Sequence, residues 1–377
     1  MVKRQINDII SKQLFKGKVV MLYGARRVGK TTLVKAIVDN SVSARYINCE
    51  LLQNKTALET TNTELLKAFL GNYSIVILDE AQHIKNIGLI LKVLIDTFPE
   101  MQIIATGSSS FELSQQVGEP LTGRSRQYTL YPFSYSELLN DENIIDVNAK
   151  LDNILRFGLY PEVYNKSENE AIEELQNIAS NYLYKDILQF ERLRRPELLL
   201  NLLRALALQI GNEVSYNELA NLLGENMHTI KRYIELLEKS FVIFRLQSFN
   251  RNLRKEIAKG QKIYFYDLGI RNTLIQNYNK IELRDDKGAI WENFFVCERL
   301  KMNHYNRNFV NTYFWRTYDQ QEIDYIEEQS GKLTLFECKY KATKKVKIPN
   351  IFIETYPNCE FNVVAKENFW EYLNKEF

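Results

Sequence analysis

The sequence predicts an α/β protein with a parallel sheet near its N-terminus and a smaller α/β region near its C-terminus. Apolar runs such as "KVVMLYG" and "SIVILDE" alternate with helical patterns between residues 18 and 110, which is typical of a parallel sheet covered by helices on both faces. A glycine-rich loop follows the first run. Near the other end, "EIDYIEEQSGKLTLFECKYK" (322–341) alternates with period two around a Ser-Gly-Lys turn, which predicts a β-hairpin.

Length and composition set the limits for these elements. With 377 residues, the chain is long enough for two or three domains with their own cores. The net charge of +2 argues against a global basic field, so any binding of nucleic acid would depend on local patches. The sequence contains no apolar run of about 18 residues and no signal peptide, and its four cysteines include no CxxC pair. We therefore expect a cytoplasmic protein with reduced thiols and no membrane segment.

The glycine-rich segment "GARRVGKTT" (24–32) fits the phosphate-loop pattern G-x-x-x-x-G-K-[ST] and lies between a buried strand and a helix, as that pattern requires. Its glycines would let the backbone wrap around phosphates, which the N–H groups of the helix N-terminus would bind. Lys30 would reach the β- and γ-phosphates of ATP, and Thr31 would hold Mg²⁺. A chance match in a glycine turn is the alternative. The nucleotide-binding residues predicted in this loop are Gly24, Arg26, Arg27, Val28, Gly29, Lys30, Thr31 and Thr32.

A second apolar run, "SIVILDEAQH" (74–83), ends in an Asp-Glu pair and argues against a chance match. Asp79 would bind Mg²⁺ through water, and Glu80 would orient and activate the attacking water, so both are predicted catalytic residues together with Lys30. In the next run, "IIATGSSS", Thr106 or Ser108 could sense the γ-phosphate, and Ser108 is predicted to contact the nucleotide. A helix N-cap is the alternative for this serine-rich segment.

An arginine in "LTGRSRQYTLYPFSYSEL" (121–138) is the last predicted catalytic residue of this region. Arg124 could reach the γ-phosphate of a neighbouring subunit and stabilise transition-state charge, which would require a homo-oligomer. An ordinary surface arginine is the alternative.

Five motifs in sequence order carry a family resemblance. "GARRVGKTT", "VILDEAQ", "ATGSSS", "LTGRSRQYTLYPFSYSEL" and "RFGLYPEVY" resemble the prokaryotic AAA+-type ATPases that carry a C-terminal winged helix and a PD-(D/E)xK (restriction-endonuclease-like) domain of unassigned function. The likeness covers nearly the whole chain. It implies a P-loop NTPase (AAA+-like) core with a parallel sheet at residues 1–135, a helical lid at 136–205, a winged helix-turn-helix at 206–282, and an α/β nuclease-like domain at 283–377.

Residues 215–239 are predicted to form two helices with a turn at 224–226, followed by a β-hairpin, with Leu219, Leu222 and Leu223 facing a core. The exposed start of the second helix would enter a DNA groove, and basic residues cluster in the hairpin. Because Lys and Arg dominate, binding would be mostly independent of DNA sequence; contact with a protein is the alternative. The predicted DNA-binding residues are Thr229, Lys231, Arg232, Arg251, Arg254, Lys255 and Lys341, and Arg245, Lys259 and Lys262 complete the basic hairpin.

The late hairpin places Glu337 and Lys339 on one face of a strand, with Asp324 in the neighbouring strand and Glu292 near the start of the preceding helix. Together they resemble the PD-(D/E)xK nuclease pattern. Asp324 and Glu337 would hold Mg²⁺, and Lys339 would stabilise the hydroxide or the developing phosphorane charge. Glu292 would position a second metal or the water. The alternative is an ion pair kept for structure. A basic run that could hold a DNA backbone follows: Lys341, Lys344, Lys345 and Lys347.

The sequence thus predicts a DNA-binding ATPase that couples ATP hydrolysis to the binding, remodelling or cleavage of DNA, with ATP and Mg²⁺ as cofactors. Branched DNA such as a Holliday junction is suggested only by analogy, because resolvases share the nuclease-like fold. Two alternatives stay open. One is a signalling or defence switch whose ATP state controls assembly and whose C-terminal domain recognises a partner. The other is a nuclease-dead remodeller that moves DNA without cutting it.

Overall fold

A computed structural model describes seven stretches of the chain: residues 2–38, 43–108, 121–180, 195–250, 260–317, 320–341 and 346–374. Six basic residues singled out in the sequence lie outside the described residues: Arg251, Arg254, Lys255, Lys259, Lys344 and Lys345. The chain divides into two compact units. The first contains Met1–Phe133 with Lys239–Phe241, and the second contains Ser134–Glu238 with Val242–Phe377.

The first unit alternates strands and helices along the chain, as the sequence predicts. Its strands are β1 (Val19–Tyr23), β2 (Ala44–Asn48), β3 (Ile75–Asp79), β4 (Gln102–Gly107) and β5 (Ser125–Thr129). Its helices are α1 (Gln5–Ser11), α2 (Lys30–Val38), α3 (Leu52–Leu58), α4 (Thr63–Leu70) and α5 (Ile87–Thr97), with a 3₁₀ turn at Ala81–His83.

All neighbouring strands of this first sheet are parallel, in the order β2-β3-β4-β1-β5. The three central strands are buried along their whole length, which explains why they appear in the sequence as unbroken apolar runs. Strand β4 lies between β1 and β3. The phosphate loop and the Asp-Glu pair therefore emerge from strands separated by one strand, at the same carboxyl edge of the sheet. This arrangement confirms the predicted parallel α/β sheet.

The second unit begins with helices and ends in a mixed α/β arrangement. Its helices are α6 (Tyr135–Leu138), α7 (Ile144–Ala149), α8 (Leu151–Phe157), α9 (Glu168–Ile178), α10 (Pro196–Leu208), α11 (Tyr216–Leu223), α12 (Met227–Lys239), α13 (Leu268–Leu274), α14 (Lys287–Tyr305), α15 (Asn350–Thr355) and α16 (Trp370–Leu373), with a 3₁₀ turn at Ile281–Leu283. Its strands are β6 (Glu213–Val214), β7 (Ile243–Ser248), β8 (Gln261–Phe265), β9 (Asn311–Arg316), β10 (Glu322–Gln329), β11 (Lys332–Cys338) and β12 (Cys359–Val364).

These strands form one seven-stranded sheet in the order β12-β11-β10-β9-β7-β8-β6. Both predicted hairpins are present, since β7 pairs with β8 and β10 pairs with β11 in antiparallel fashion. Strand β7 also pairs with β9 in parallel, with Gln247 opposite Tyr313. This pairing crosses the predicted boundary between residues 282 and 283. The strands of the basic hairpin and those of the nuclease-like region therefore share one hydrogen-bonded sheet.

Helix α14 packs against strands β8 and β11 of this sheet. Ile290 and Phe294 are buried, and Trp291 is buried and donates from Nε1 to Val364 O at 3.1 Å. One prediction about the neighbouring helix α11 is wrong, because Leu222 is 67% exposed. The buried face of that helix passes through Leu219 and Ala220, which leaves Leu222 on the far side.

Within the described part of the chain, no helix has the length and apolar character needed to cross a membrane.

Candidate functional site

The phosphate loop runs from the end of β1 to the start of α2, and its backbone explains its glycines. Gly24 has φ 154°, and a Cβ at that position would lie 2.2 Å from the carbonyl oxygen of Leu130. Arg27 and Gly29 also have positive φ, of 63° and 98°. At Gly29, by contrast, a Cβ would meet only the Nη1 atom of Arg4, at 4.0 Å. The loop therefore closes against the protein at one glycine and leaves open space at the other, which fits the binding of phosphate by its N–H groups.

Lys30 is the buried cation of this loop, with 4% of its surface exposed. Its Nζ donates to the carbonyl oxygens of Gly24 and Ala25, both at 3.0 Å, and lies 3.9 Å from Glu80 Oε1. The other predicted loop residues differ in exposure. Val28 is buried, Arg27 and Thr32 are exposed, and Arg26 lies 4.0 Å from Glu50.

Asp79, at the end of β3, is surrounded by hydroxyl groups. Its Oδ2 accepts from Thr31 Oγ1 at 2.8 Å and from Tyr46 OH at 2.5 Å, and its Oδ1 accepts from Thr106 Oγ1. Burial and the nearby Asp79 carboxylate raise the pKa of Tyr46, so this phenol stays protonated and donates. The two predicted Mg²⁺ residues, Thr31 and Asp79, are thus in direct contact and present the oxygen ligands that Mg²⁺ prefers.

Glu80 adopts a left-handed conformation with φ 54°, which costs a non-glycine residue about 1 kcal/mol or more. Its backbone N–H donates to Thr106 Oγ1 at 3.0 Å, and its Oε2 accepts from Gln82 Nε2 at 2.6 Å. The same Gln82 nitrogen lies 3.1 Å from Ser108 Oγ. Of the two sensor candidates, Thr106 contacts both acidic residues, whereas Ser108 reaches Glu80 only through Gln82.

Arg124 lies directly before β5 and pairs with a neighbour on its own chain. Its Nε donates to Asp96 Oδ1 at 2.7 Å, and the two side chains are 41% and 45% exposed. This hydrogen bond raises the pKa of the guanidinium, which is charged in any case. The role of Arg124 in a neighbouring subunit stays a prediction.

Arg4 contacts the phosphate loop but was not predicted from the sequence motifs. Arg4 donates from Nη1 to Val28 O at 3.0 Å and from Nη2 to Tyr131 O, and its guanidinium lies 4.9 Å from the centre of the Phe133 ring. Arg4 precedes the first strand and belongs to no motif, so only the tertiary structure reveals it. Tyr46 was missed for the same reason, whereas Gln82 lies within the motif "VILDEAQ" but was given no role.

In the second unit, carboxylates from three elements meet and form what we call the acidic cluster: Glu292, Glu322, Asp324 and Glu337. The side chain of Lys262, from β8, points into it and is 1% exposed. Lys262 Nζ lies 2.8 Å from Glu292 Oε1 and 4.0 Å from Asp324 Oδ1, and it also forms an ion pair with Glu322. The structure therefore brings Glu292 and Asp324 together as the sequence predicted, but around a lysine. Placing Lys262 in the basic DNA-facing surface was wrong, because β8 turns this residue inward.

Other donors contact the remaining members of the acidic cluster. Tyr264 OH donates to Glu292 Oε1 at 2.6 Å, the backbone N–H of Cys338 donates to Asp324 Oδ2 at 2.7 Å, and Lys339 Nζ donates to Glu337 Oε1 at 2.6 Å. Each predicted nuclease residue therefore already forms a hydrogen bond within the protein: Glu292, Asp324, Glu337 and Lys339.

Burial dominates the electrostatics of the acidic cluster. It raises the pKa of Glu292 to about 7, although Lys262 and Tyr264 act in the opposite direction. Burial also raises the pKa of Asp324 and of Glu337. Burial acts to lower the pKa of Lys262, but the surrounding carboxylates outweigh it, so the net shift is upward. Among the residues that the structure describes, no group of three or more His, Cys, Asp or Glu side chains is arranged to hold a metal ion.

The predicted DNA-binding residues that are described differ in exposure. Lys231, Arg232 and Lys341 are exposed, and Thr229 is partly buried with its hydroxyl and N–H donating to Asn226 Oδ1 at 3.1 and 2.8 Å. Arg245, expected in the same basic hairpin, instead pairs with Glu238 on the preceding helix through Nε at 2.9 Å.

Comparison with known proteins agrees with the geometry of the first unit. Residues 16–139 match a family described as "AAA domain". The first unit carries an ATPase-like AAA domain. Residues 148–280 and 287–372 match two further families, each described as a domain of unknown function (DUF8612 and DUF4143). The AAA domain thus ends close to the point where the first compact unit ends.

Relatives of the whole chain extend this likeness beyond the AAA domain. An uncharacterized protein of Methanocaldococcus jannaschii is 26% identical over 96% of this chain and 88% of its own length. An uncharacterized protein of Mycobacterium tuberculosis is 27% identical over 89% of this chain and 74% of its own. A solved Walker-type ATPase of Pyrococcus abyssi is 17% identical, with a TM-score of 0.51 over 73% of this chain and 96% of that one. The last comparison shows a shared fold.

Proposed function

We propose that this chain is an ATPase that binds DNA and couples ATP hydrolysis to the binding or remodelling of DNA. One observation carries the ATPase part. Thr31, Asp79 and Glu80 converge beside the phosphate loop, with Thr106 bonded to both acidic residues. These residue types, at the carboxyl ends of strands separated by one strand, match what phosphoryl transfer needs: a phosphate cradle, oxygen ligands for Mg²⁺ and a base for the water.

The contacts of this site support a role for each of its residues. The loop N–H groups bind phosphate oxygens, and Lys30 leaves the carbonyls of Gly24 and Ala25 to neutralise the charge on them. Thr31 would hold Mg²⁺ directly and Asp79 would hold it through water, and the bound ion would neutralise charge during transfer. Glu80 orients the attacking water and takes its proton at a carboxylate oxygen, while Gln82 holds the other oxygen in place.

The decisive test of the ATPase is phosphate release by purified protein. Lys30→Ala should abolish hydrolysis while leaving some nucleotide-free DNA binding. Lys16→Ala, which changes an exposed lysine before the first strand, should hydrolyse ATP like the unchanged protein. Normal hydrolysis by Lys30→Ala would show that the phosphate-loop assignment is wrong.

The proposed DNA contact rests on the second unit. Helix α10, strand β6, helices α11 and α12 and strands β7 and β8 follow one another in the order typical of a winged helix. Lys231 and Arg232 are exposed at the start of α12, and Lys341 is exposed after β11. Side chains of this type bind phosphates without reading sequence, so duplex and branched DNA, including four-way junctions, are the proposed partners.

Binding to duplex, forked and four-way DNA can be measured by fluorescence anisotropy over a range of salt concentrations. Lys231→Ala and Arg232→Ala should weaken binding similarly for all sequences and reduce the salt slope by about 1 each. The matched control is Lys239→Ala, at the other end of the same helix. Absence of any DNA affinity at low salt would instead favour a signalling or defence switch whose second unit recognises a protein. Faster ATP turnover with one DNA form would support coupling and identify the preferred substrate.

A second candidate function, a remodeller that does not cut DNA, is favoured by the ion pairs of Lys262 in the acidic cluster.

We also infer a cytoplasmic location, which the four free cysteines support. Arg124 is the proposed residue through which one subunit would act on the ATP of another, in a homo-oligomer.

A further inference from the structure

We propose that Lys262 takes the place of a divalent cation in the acidic cluster, which makes the cluster an internal ion-pair centre that excludes Mg²⁺ and does not cleave DNA. The inference is independent of whether the chain binds DNA, since it concerns the charge balance of the cluster alone. It assigns Lys262 a role that the nuclease pattern does not contain.

The position of the ammonium is the first argument. A lysine ammonium has three N–H donors, and Lys262 Nζ contacts Glu292 and Glu322 and lies 4.0 Å from Asp324. Its carboxylate partners come from helix α14 and strand β10, so one ammonium draws together two elements. A metal ion held by the same carboxylates would have to share or displace this positive charge.

The second argument is that Lys262 is fixed in place. Its backbone lies within the sheet, paired with Leu246 of β7 on one side and with Glu213 of β6 on the other. Its side chain is 1% exposed, and its ammonium lies 5.5 Å from the centre of the Phe314 ring. Withdrawing it would leave buried carboxylates without a counter-charge, which is strongly unfavourable.

The third argument concerns the oxygens that the nuclease pattern assigns to Mg²⁺. Asp324 Oδ2 accepts from the N–H of Cys338, and Glu337 Oε1 accepts from Lys339 Nζ. Mg²⁺ requires near-octahedral oxygen coordination and loses its waters reluctantly, so it competes poorly for oxygens that already accept hydrogen bonds from protein donors. The donor set of the acidic cluster therefore does not fit the metal that the pattern implies.

The test compares Mn²⁺ binding by nucleotide-free protein, measured from the electron paramagnetic resonance of free Mn²⁺. Lys262→Met keeps most of the length of the side chain and removes its charge. We expect it to bind Mn²⁺ at least ~10-fold more tightly than the unchanged protein and to gain thermal stability on addition of Mn²⁺. Adding Asp324→Asn to Lys262→Met should remove the gain.

The matched control is Lys301→Met. Lys301 is also a buried lysine of the second unit, 2% exposed, but its carboxylate partner is Glu298, outside the acidic cluster. This variant loses a buried charge without opening the cluster, so its Mn²⁺ binding should equal that of the unchanged protein.

Two results would overturn the proposal. One is tight Mn²⁺ binding by the unchanged protein that Asp324→Asn abolishes. The other is a folded Lys262→Met protein that binds Mn²⁺ no better than the unchanged one. If Lys262→Met does not fold, the double variant Lys262→Met/Glu292→Gln removes one charge of each sign and is judged by the same two criteria.

Discussion

Each unit of this protein gathers acidic side chains near a buried lysine, but the two lysines have different partners. In the first unit, Lys30 Nζ donates to two carbonyl oxygens and lies 3.9 Å from Glu80. In the second, Lys262 Nζ lies 2.8 Å from Glu292 and contacts Glu322 as well. A lysine bonded to neutral carbonyls can turn to an anionic ligand at small cost. A lysine that neutralises buried carboxylates cannot, because those carboxylates would lose their counter-charge.

The difference teaches that residue types alone do not separate a ligand site from an ion-pair centre. Asp, Glu and Lys occur at both places. In the first unit, Asp79 accepts from the hydroxyl groups of Thr31 and Tyr46, and the Glu80 carboxylate accepts from the neutral Gln82 amide. Hydroxyls can exchange one oxygen partner for another, whereas the ammonium of Lys262 supplies the charge that a cation would bring.

The largest expected effect compares one glutamate from each unit. Glu80→Gln should lower kcat for ATP hydrolysis by about 10²–10⁴-fold with little change in nucleotide affinity, because the base is lost while the phosphate contacts stay. Glu292→Gln should leave ATP hydrolysis within about twofold, since the described hydrogen-bond partners of Glu292, Lys262 and Tyr264, belong to the second unit. Steady-state kinetics and a nucleotide-binding titration measure both. Equal losses of kcat in the two variants would contradict the assignment of the catalytic base to Glu80 and of an ion-pair role to Glu292.

The next comparison concerns stability and the two lysines. Lys262→Met should lower the free energy of unfolding by about 3–5 kcal/mol, because it leaves buried carboxylates unpaired. Lys30→Met should change it by about 1 kcal/mol or less, because the carbonyls it leaves can bond to water. All three tryptophans, Trp291, Trp315 and Trp370, lie in the second unit, so their fluorescence reports its unfolding in denaturant, and circular dichroism follows the whole chain. Similar losses in the free energy of unfolding for Lys262→Met and Lys30→Met would show that the two lysines do not differ in their contribution to stability.

The sequence predicted the first site better than the second for a physical reason. A phosphate loop is local: strand, loop and helix follow each other within "VVMLYGARRVGKTT", and short-range geometry places Lys30 and Thr31. The acidic cluster depends on pairing between distant strands, and the parallel pairing of β7 with β9 brings Lys262 to it. In the sequence Lys262 belongs to a hairpin with many basic residues, which favoured an exposed position. Arg4 was unpredictable because its contacts are tertiary.

A smaller effect separates the two sensor candidates of the first site. Thr106→Val keeps the shape of the side chain but removes its bonds to Asp79 and to the Glu80 N–H, so kcat should fall about 10-fold while nucleotide affinity changes little. Thr106→Ser should restore most of the rate. Ser108→Ala should lower kcat by about threefold or less, because Ser108 contacts Glu80 only through Gln82. A larger loss of kcat in Ser108→Ala than in Thr106→Val would identify Ser108 as the sensor.

The smallest expected effect concerns Arg4. This residue contacts the phosphate loop although it lies outside the loop motif, just as Lys262 contacts the acidic cluster although it lies outside the nuclease pattern. Arg4 bonds to carbonyl oxygens of Val28 and Tyr131, so it supports the loop without neutralising a ligand group. Arg4→Ala should raise KM for ATP about 3–10-fold with kcat nearly unchanged, since a looser loop binds phosphate less well but leaves Glu80 in place. Arg4→Lys should rescue little, because one ammonium cannot span both carbonyls as the guanidinium fork does. Lys3→Ala, next to it in the chain but paired with Asp8 at the surface, is the control and should leave KM unchanged. A fall in kcat at constant KM would instead place Arg4 among the groups that act on the transition state.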